Sequence, residues 1–169
     1  MEQNGSENED IRWVTTSDLL ELARLFNEAG VEYLVYGGIA CILHGHIRAT
    51  ADLDICFGDD RSNIEKALAM LSKWGHGYAS ELNVQEVLEN VVVRIGDEIT
   101  LDISSRIWKV DWQPAWGRRR IVNVDGVDVP VLSRNDLIAS KRTYRDKDKW
   151  DVYELQSMTG PEPGHPASK

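Results

Sequence analysis

The sequence predicts a mixed α/β domain (α+β), a small mixed β-sheet with helices packed on it. Three observations predict this class. Apolar residues fall at helical spacing in some stretches and at strand spacing in others. The two kinds follow one another as helix, strand, helix, strand, helix, strands, helices. One glycine pair and Gly-Asp or Asp-Gly steps punctuate them. From residue 11 to 158 no repeat or long linker intervenes, and 169 residues suffice for one domain with a real core. Residues 1–10 and 159–169 are polar or Gly/Pro-rich with no apolar period, and are expected to be disordered tails.

Leu19, Leu22, Ala23, Phe26 and Ala29 mark one face of the first helix, with Asp18 and Glu21 at capping-box spacing and Gly30 as its stop. "VEYLVYGG" follows as a buried strand closed by a glycine pair, and "IACILHG" as a short helix behind it. In "ADLDICF", Leu53, Ile55 and Phe57 point one way while Asp52, Asp54 and Cys56 point the other. "RSNIEKALAMLSKWG" is amphipathic, with Ile64, Leu68 and Leu71 inward. "ENVVVRIGDEITLDIS" reads as a hairpin about a Gly-Asp turn, its second strand setting Leu101 and Ile103 against Thr100, Asp102 and Ser104. "RRIVNVDGVDVPVLS" is another hairpin, turning at Asp125-Gly126. Ser133 and Asp136 cap a helix through "DLIASKRTY", and "DKDKWDVYELQSM" continues helically after a break near Arg145.

Composition narrows the function. No apolar run approaches the ~20 residues of a membrane span. The opening "MEQNGSENED" lacks the basic-then-apolar order of a secretory leader. The two cysteines, Cys41 and Cys56, lie in apolar stretches with no CxxC partner set, so a reducing, cytoplasmic setting is expected. A net charge of −9 argues against broad affinity for nucleic acid. The acidity is nevertheless local. Residues 1–60 carry 12 acidic and 3 basic side chains, and the remainder is balanced. Between residues 106 and 120, Arg106, Lys109, Arg118, Arg119 and Arg120 are opposed only by Asp111, which offers ground for a polyanion or simply a solvated loop.

Asp52 and Asp54 are the feature that needs explaining. On a strand they share a face, with Cβ atoms roughly 7 Å apart. Two carboxylates held ~4 Å apart without a counter-ion repel by about 4 kcal/mol at an effective dielectric of 20. A divalent cation turns that repulsion into coordination, and oxygen-only ligands suit Mg²⁺ or Mn²⁺. Exposed acidic strands carry such pairs too. The third carboxylate, Asp102, sits on another strand whose opposite face is apolar, so all three converge if the strands are neighbours. Three carboxylates on adjacent strands suit a two-cation site for phosphoryl or nucleotidyl transfer. Gly37-Gly38, closing a strand and opening a helix, offers backbone N–H groups to a phosphate.

Gly37-Gly38, thirteen further residues, Asp52-Leu53-Asp54 and the later Asp102 together resemble the nucleotidyltransferase superfamily with the polymerase-β-like palm. "RATADLD" and "DLIASKRTYRDKDKWDV" are similar to its small bacterial AbiEii-like, minimal and lincosamide members, and the likeness spans Tyr33 to Leu155. The resemblance implies a nucleotidyltransferase-like fold and a metal-dependent transfer of a nucleoside monophosphate from a nucleoside triphosphate to a hydroxyl. It implies Gly37 and Gly38 on the triphosphate side, Asp52 and Asp54 on the nucleotide-bound metal, and Asp102 on a second metal and the acceptor hydroxyl. Arg48, Lys141 and Arg145 would face phosphates, and Asp148 would orient them or the acceptor. The acceptor stays open between a tRNA end, a protein and a small molecule such as an antibiotic, and an antitoxin partner goes with the toxin-like members. Many members have Gly-Ser where this chain has Gly37-Gly38, which removes a hydroxyl.

Other readings compete. A module of the same fold that binds a nucleotide or partner without turnover is the main alternative. A phosphohydrolase of the Asp-x-Asp kind would want a following Gly/Val-Thr element that "DLDICFGDD" lacks. Arg48 also reads as a surface pair and Lys141 as a helix-face lysine. His44 and His46 complete no zinc set and read as core or surface histidines. Trp108, Trp112 and Trp116 beside "GRRR" suit a nucleobase or aromatic acceptor, or the packing of an irregular segment on the sheet.

Overall fold

The computed structural model describes residues 11–168. The expected N-terminal tail, residues 1–10, lies outside the described residues. Helix α1 (Thr16–Ala29) leads into strand β1 (Leu34–Tyr36), helix α2 (Gly37–Leu43) and strand β2 (Asp52–Cys56). Helices α3 (Arg61–Leu71) and α4 (Val84–Glu89) precede the hairpin β3 (Val93–Gly96) and β4 (Thr100–Ser104). Helix α5 (Trp112–Arg118), hairpin β5 (Arg120–Val124) and β6 (Val127–Val131), helices α6 (Arg134–Ser140) and α7 (Asp146–Ser157) and strand β7 (His165–Pro166) complete the order.

The seven strands form one mixed sheet in the order β3-β4-β2-β1-β6-β5-β7. Among the described strands only β1·β6 and β2·β4 pair in parallel. The parallel β2·β4 pair fixes the site, because it aligns Leu53 with Leu101, Asp54 with Asp102, and Ile55 with Ile103. Residues in register on neighbouring strands share a face. One face therefore sends Leu53, Ile55, Leu101 and Ile103 into the core with Leu22 and Phe26 of α1 and Ile64 and Leu71 of α3. Phe26 meets Tyr33 at 5.1 Å and Phe57 edge-on at 5.4 Å. Aspartates in register occupy the other face.

Local chemistry explains the ends. Gly30 stops α1 in the left-handed conformation, at φ 66°. Asp125 and Gly126 both take positive φ, the two-residue turn that matches the twist of β5 and β6. Ser133 caps α6 by accepting from the Asp136 N–H. Cys41 and Cys56 are buried and free, and burial pushes each thiol up to about 11.

Four expectations need correction, and residues 78–90 hold two elements that the sequence did not predict. The α1 cap lies one turn earlier: Asp18 accepts the Thr15 N–H and hydroxyl, both at 2.7 Å, and pairs with Arg12. Helix α6 ends at Ser140, so Lys141 sits in the loop rather than on a helix face. Residues 78–90 hold a 3-10 turn (Tyr78–Glu81) and α4, which starts in an Asn83/Glu86 capping box but is too short to show a clear apolar period. Residues 112–118, expected to be irregular, are helical, with Trp112 and Trp116 stacked at 5.5 Å one turn apart. Finally, β7 extends the sheet beyond β5, held where Arg120 and Arg134 donate to carbonyls of residues 158–164. A two-residue strand leaves no periodic trace in sequence. Among the described residues no helix is long and apolar enough to cross a membrane.

Candidate functional site

All nine residues singled out by sequence line a single open cavity of about 750 Å³ on the polar face of the sheet. Its floor is built by β2 and β4. Asp52 and Asp54 lie two apart on β2, and Asp102 is level with Asp54 on β4. Asp54 makes no ion pair among the described residues. Burial and the neighbouring Asp102 charge push its carboxyl up to about 6, against the pull of Lys141 and a hydrogen bond from the Gly38 N–H.

The glycine pair serves this floor sterically. Gly37 holds φ 65°, and a Cβ there would stand 2.1 Å from Asp54 Oδ2. At Gly38 a Cβ would stand 2.5 Å from Thr50 Oγ1. The place of a second-position side chain is thus filled by the Thr50 hydroxyl, which donates to the Asp52 carbonyl at 3.3 Å and lines the cavity. Gly37→Ala is expected to displace Asp54 from the cavity floor, at a stability cost of about 1 kcal/mol for the positive φ. Gly30→Ala is the control. It carries the same φ strain with nothing within 4 Å, so melting should fall in both variants, while crystal structures of the two should show Asp54 moved in the first alone.

Sequence reasoning missed Arg94. From β3, its Nε donates to Asp102 Oδ1 at 2.8 Å and its Nη2 to Asp102 Oδ2 at 2.7 Å and Asp52 Oδ2 at 3.1 Å. The signal was present, since counting back from the 97–99 loop pairs Arg94 with Asp102. Arg94 leans between two of the three aspartates, and that contact holds its guanidinium further above its ordinary range. Among the described residues no group of three carboxylate, imidazole or thiol side chains stands close enough to hold a metal ion. The expected three-carboxylate site is therefore not closed in this arrangement, because Arg94 competes for Asp52 and Asp102. The donor chemistry still fits a hard divalent cation: three carboxylates share one face, and the half-buried Asp54 lacks a cationic partner among the described residues.

The opposite wall is a buried charge cluster that centres on a second missed residue, Asp151 of α7, which is 1% exposed. It accepts from Arg48 Nη1, from Lys141 Nζ at 2.8 Å, and faces His46 Nε2 at 3.1 Å. Asp148, expected to orient the bases, plays the lesser part. It stands 3.7 Å from Lys141 and accepts the Thr143 hydroxyl at 2.6 Å. Asp148 and Asp151 are three apart on one helix face, and His46 and Arg48 two apart in extended chain, which is the spacing signal for the cluster. Arg145 stands at the start of α7 on the cavity rim. His44 is buried, with Nε2 2.8 Å from the Leu132 carbonyl.

The basic 106–120 segment is dispersed. Arg118 pairs with Asp136 at 2.7 Å, Arg119 lies 3.7 Å over Trp116, Arg120 holds the C-terminal carbonyls, and Arg106 donates to the Leu88 carbonyl. Of these five cations only Lys109 reaches the cavity, as does only Trp108 of the three tryptophans.

Removing the Asp54 charge should stabilise the protein free of metal and nucleotide. Its carboxyl sits near 6 when folded and about 3.9 when unfolded, so the stability it contributes is complete below 3.9 and lost as pH rises through 6. Asp54→Asn should then melt higher than wild type above pH 6, by up to about 3 kcal/mol, with the difference closing by pH 4. Thermal melts across that range check it.

This sheet, with paired aspartates on one polar face, is the fold of nucleotidyltransferases. A structure of the lincosamide antibiotic adenylyltransferase LnuA, lincomycin-bound, superposes with a TM-score of 0.58 at 19% identity, covering 86% of this chain and 99% of that one. The antibiotic-resistance factor ANT(2'')-Ia gives 0.53 at 17% identity, covering 85% and 83%. An antigenic nucleotidyltransferase-like protein from Paracoccidioides brasiliensis gives 0.52 at 17%, covering 85% and 76%. No curated protein matches the sequence. The profile described as "Nucleotidyltransferase of unknown function (DUF6036)" matches residues 17–158, and the chain belongs to that family.

Proposed function

We propose that this cavity transfers a nucleoside monophosphate from a nucleoside triphosphate to a hydroxyl acceptor, with release of pyrophosphate. The observation that carries the reading is the register of β2 and β4, which levels Asp54 with Asp102 and puts Asp52 two residues along. Asp52, Asp54 and Asp102 would hold Mg²⁺ or Mn²⁺, which would supply charge neutralisation of the triphosphate and polarisation of its α-phosphorus. Lys141 and Arg48, fixed from behind by Asp151, present positive charge to the phosphates, and Arg145 does so from the rim. Asp148 steadies Lys141 and the Thr143 turn. Gly37 keeps the space that Asp54 occupies, and Thr50 supplies a hydroxyl beside Gly38. Asp102 takes the proton of the attacking hydroxyl once Arg94 yields it.

The acceptor classes to be offered are a tRNA end or other RNA, protein, and small molecules such as antibiotics. The last is suggested by what the LnuA and ANT(2'')-Ia structures are named for. An adjacent antitoxin-like reading frame would favour a toxin role in the cytoplasm. Incubation with α-labelled ATP, CTP, GTP and UTP and Mg²⁺, with each acceptor pool in turn, tests the reading. Label should move to one pool in a Mg²⁺-dependent way, and no transfer to any pool would overturn it.

One observation favours a second reading, a nucleotide-binding module without turnover: the Arg94 clamp on Asp102 and Asp52. That reading predicts tight Mg²⁺-triphosphate binding with no transfer, and Arg94→Ala would then restore none.

A further inference from the structure

The acceptor side of the cavity has a chemistry of its own. A tight turn, closed by the Ile107–Val110 bridge, puts Trp108 and Lys109 on the wall. Lys109 takes φ 57°, one of two non-glycine residues among those described with a left-handed backbone. Such conformations cost about 1 kcal/mol or more and gather at functional positions. Trp108, 65% exposed, stays out of the core, with the Lys109 ammonium 5.9 Å from its ring centre. Lys109 Nζ then reaches across to the Arg142 carbonyl at 3.5 Å.

Lys109 and Arg142 line a second cavity of about 710 Å³ as well as the first, and Asn135 and Gln156 line the second with them. Lys109, Arg142 and, on the rim, Lys147 form no ion pair with a carboxylate among the described residues. Three uncompensated cations beside one exposed indole, on a chain of net charge −9, mark a local polyanion site rather than a generally basic surface. They lie beyond the Arg48 and Lys141 cluster that the proposed triphosphate would use. An exposed aromatic ring beside unpaired cations in an open groove suits an unstacked base and successive phosphates.

Resting on the transfer reading above, we infer that the acceptor is the 3′ end of a single-stranded RNA. Its terminal base lies on Trp108, its last phosphates meet Lys147 in the first cavity and Lys109 and Arg142 where the two cavities share a wall, and its terminal hydroxyl faces Asp102. In the step, the hydroxyl oxygen bonds to the α-phosphorus and the bond from that phosphorus to the α,β-bridging oxygen breaks. Pyrophosphate leaves with that electron pair, and the hydroxyl proton passes to Asp102. A polycationic acceptor would be repelled by the same three side chains.

The test is fluorescence anisotropy with a labelled single-stranded RNA of about 12 nucleotides, titrated at several salt concentrations. Lys109→Ala and Arg142→Ala should each weaken binding several-fold and lower the slope of log affinity on log salt by about 0.7. Trp108→Ala should weaken it about fivefold or more with the slope unchanged. Binding of Mg²⁺-ATP, followed separately, should be the same in all three. RNA that does not bind, or binds with a slope indifferent to Lys109 and Arg142, overturns the inference. Loss of Mg²⁺-ATP binding in wild type would strike the transfer reading instead, and the RNA titration reads the groove in either case.

Discussion

Asp54→Asn is expected to reduce nucleotidyl transfer by on the order of 10³-fold or more while the protein melts higher than wild type at neutral pH. The opposite signs have one cause. Asp54 is the floor carboxylate with no cationic partner, so its charge is costly without metal and is the group a divalent cation would compensate. Asparagine keeps the shape and the Gly38 contact but removes the charge. Transfer of label from an α-labelled triphosphate, measured beside the melting curve, separates loss of chemistry from loss of fold. Turnover surviving within tenfold of wild type would remove Asp54 from the proposed metal set.

The second large effect is expected on stability. Asp151→Ala leaves Lys141 and Arg48 buried or half-buried against one another with no shared counter-charge, and His46 without its partner. Breaking one partner out of a buried ion cluster costs about 3–5 kcal/mol. For a domain of this size that is about 10 °C in melting temperature. Asp151→Asn keeps the volume and some hydrogen bonds, and should recover part of the stability but little triphosphate affinity, because Lys141 and Arg48 lose their fixed bearing. Asp148→Asn should be milder on stability, since Asp148 meets Lys141 only at 3.7 Å. Equal effects from the two variants would contradict the central place of Asp151. Urea unfolding and calorimetric titration with Mg²⁺-triphosphate measure the two quantities.

Much of this geometry was legible in the sequence because it rests on period. Strand alternation put Asp52 with Asp54 and set Asp102 opposite Leu101 and Ile103, and the parallel register of β2 and β4 then brought the three to one face. The Asp125-Gly126 turn and the Ser133 cap were legible for the same reason, being chemistry confined to a few neighbouring residues. What escaped depends on partners far along the chain. Arg94 matters only once β3 lies beside β4, and Asp151 only once α7 packs over the 46–48 segment, 103 residues away from Arg48. The basic 106–120 run misled in the other direction, because a charge count does not show that Arg118 and Arg120 are satisfied by Asp136 and by backbone carbonyls. Gly38 is instructive too: the absent serine reads as a lost hydroxyl until Thr50 is seen to fill its place.

The central claim, transfer of the nucleoside monophosphate to an acceptor, is tested most directly by following the two ends of one triphosphate. Parallel reactions with α-labelled and γ-labelled substrate, Mg²⁺ and the acceptor pools should send the α label to the acceptor and the γ label into pyrophosphate, in equal amounts. Release of the γ label as free phosphate, with the α label left in the nucleoside diphosphate, would contradict the account and make the cavity a hydrolase.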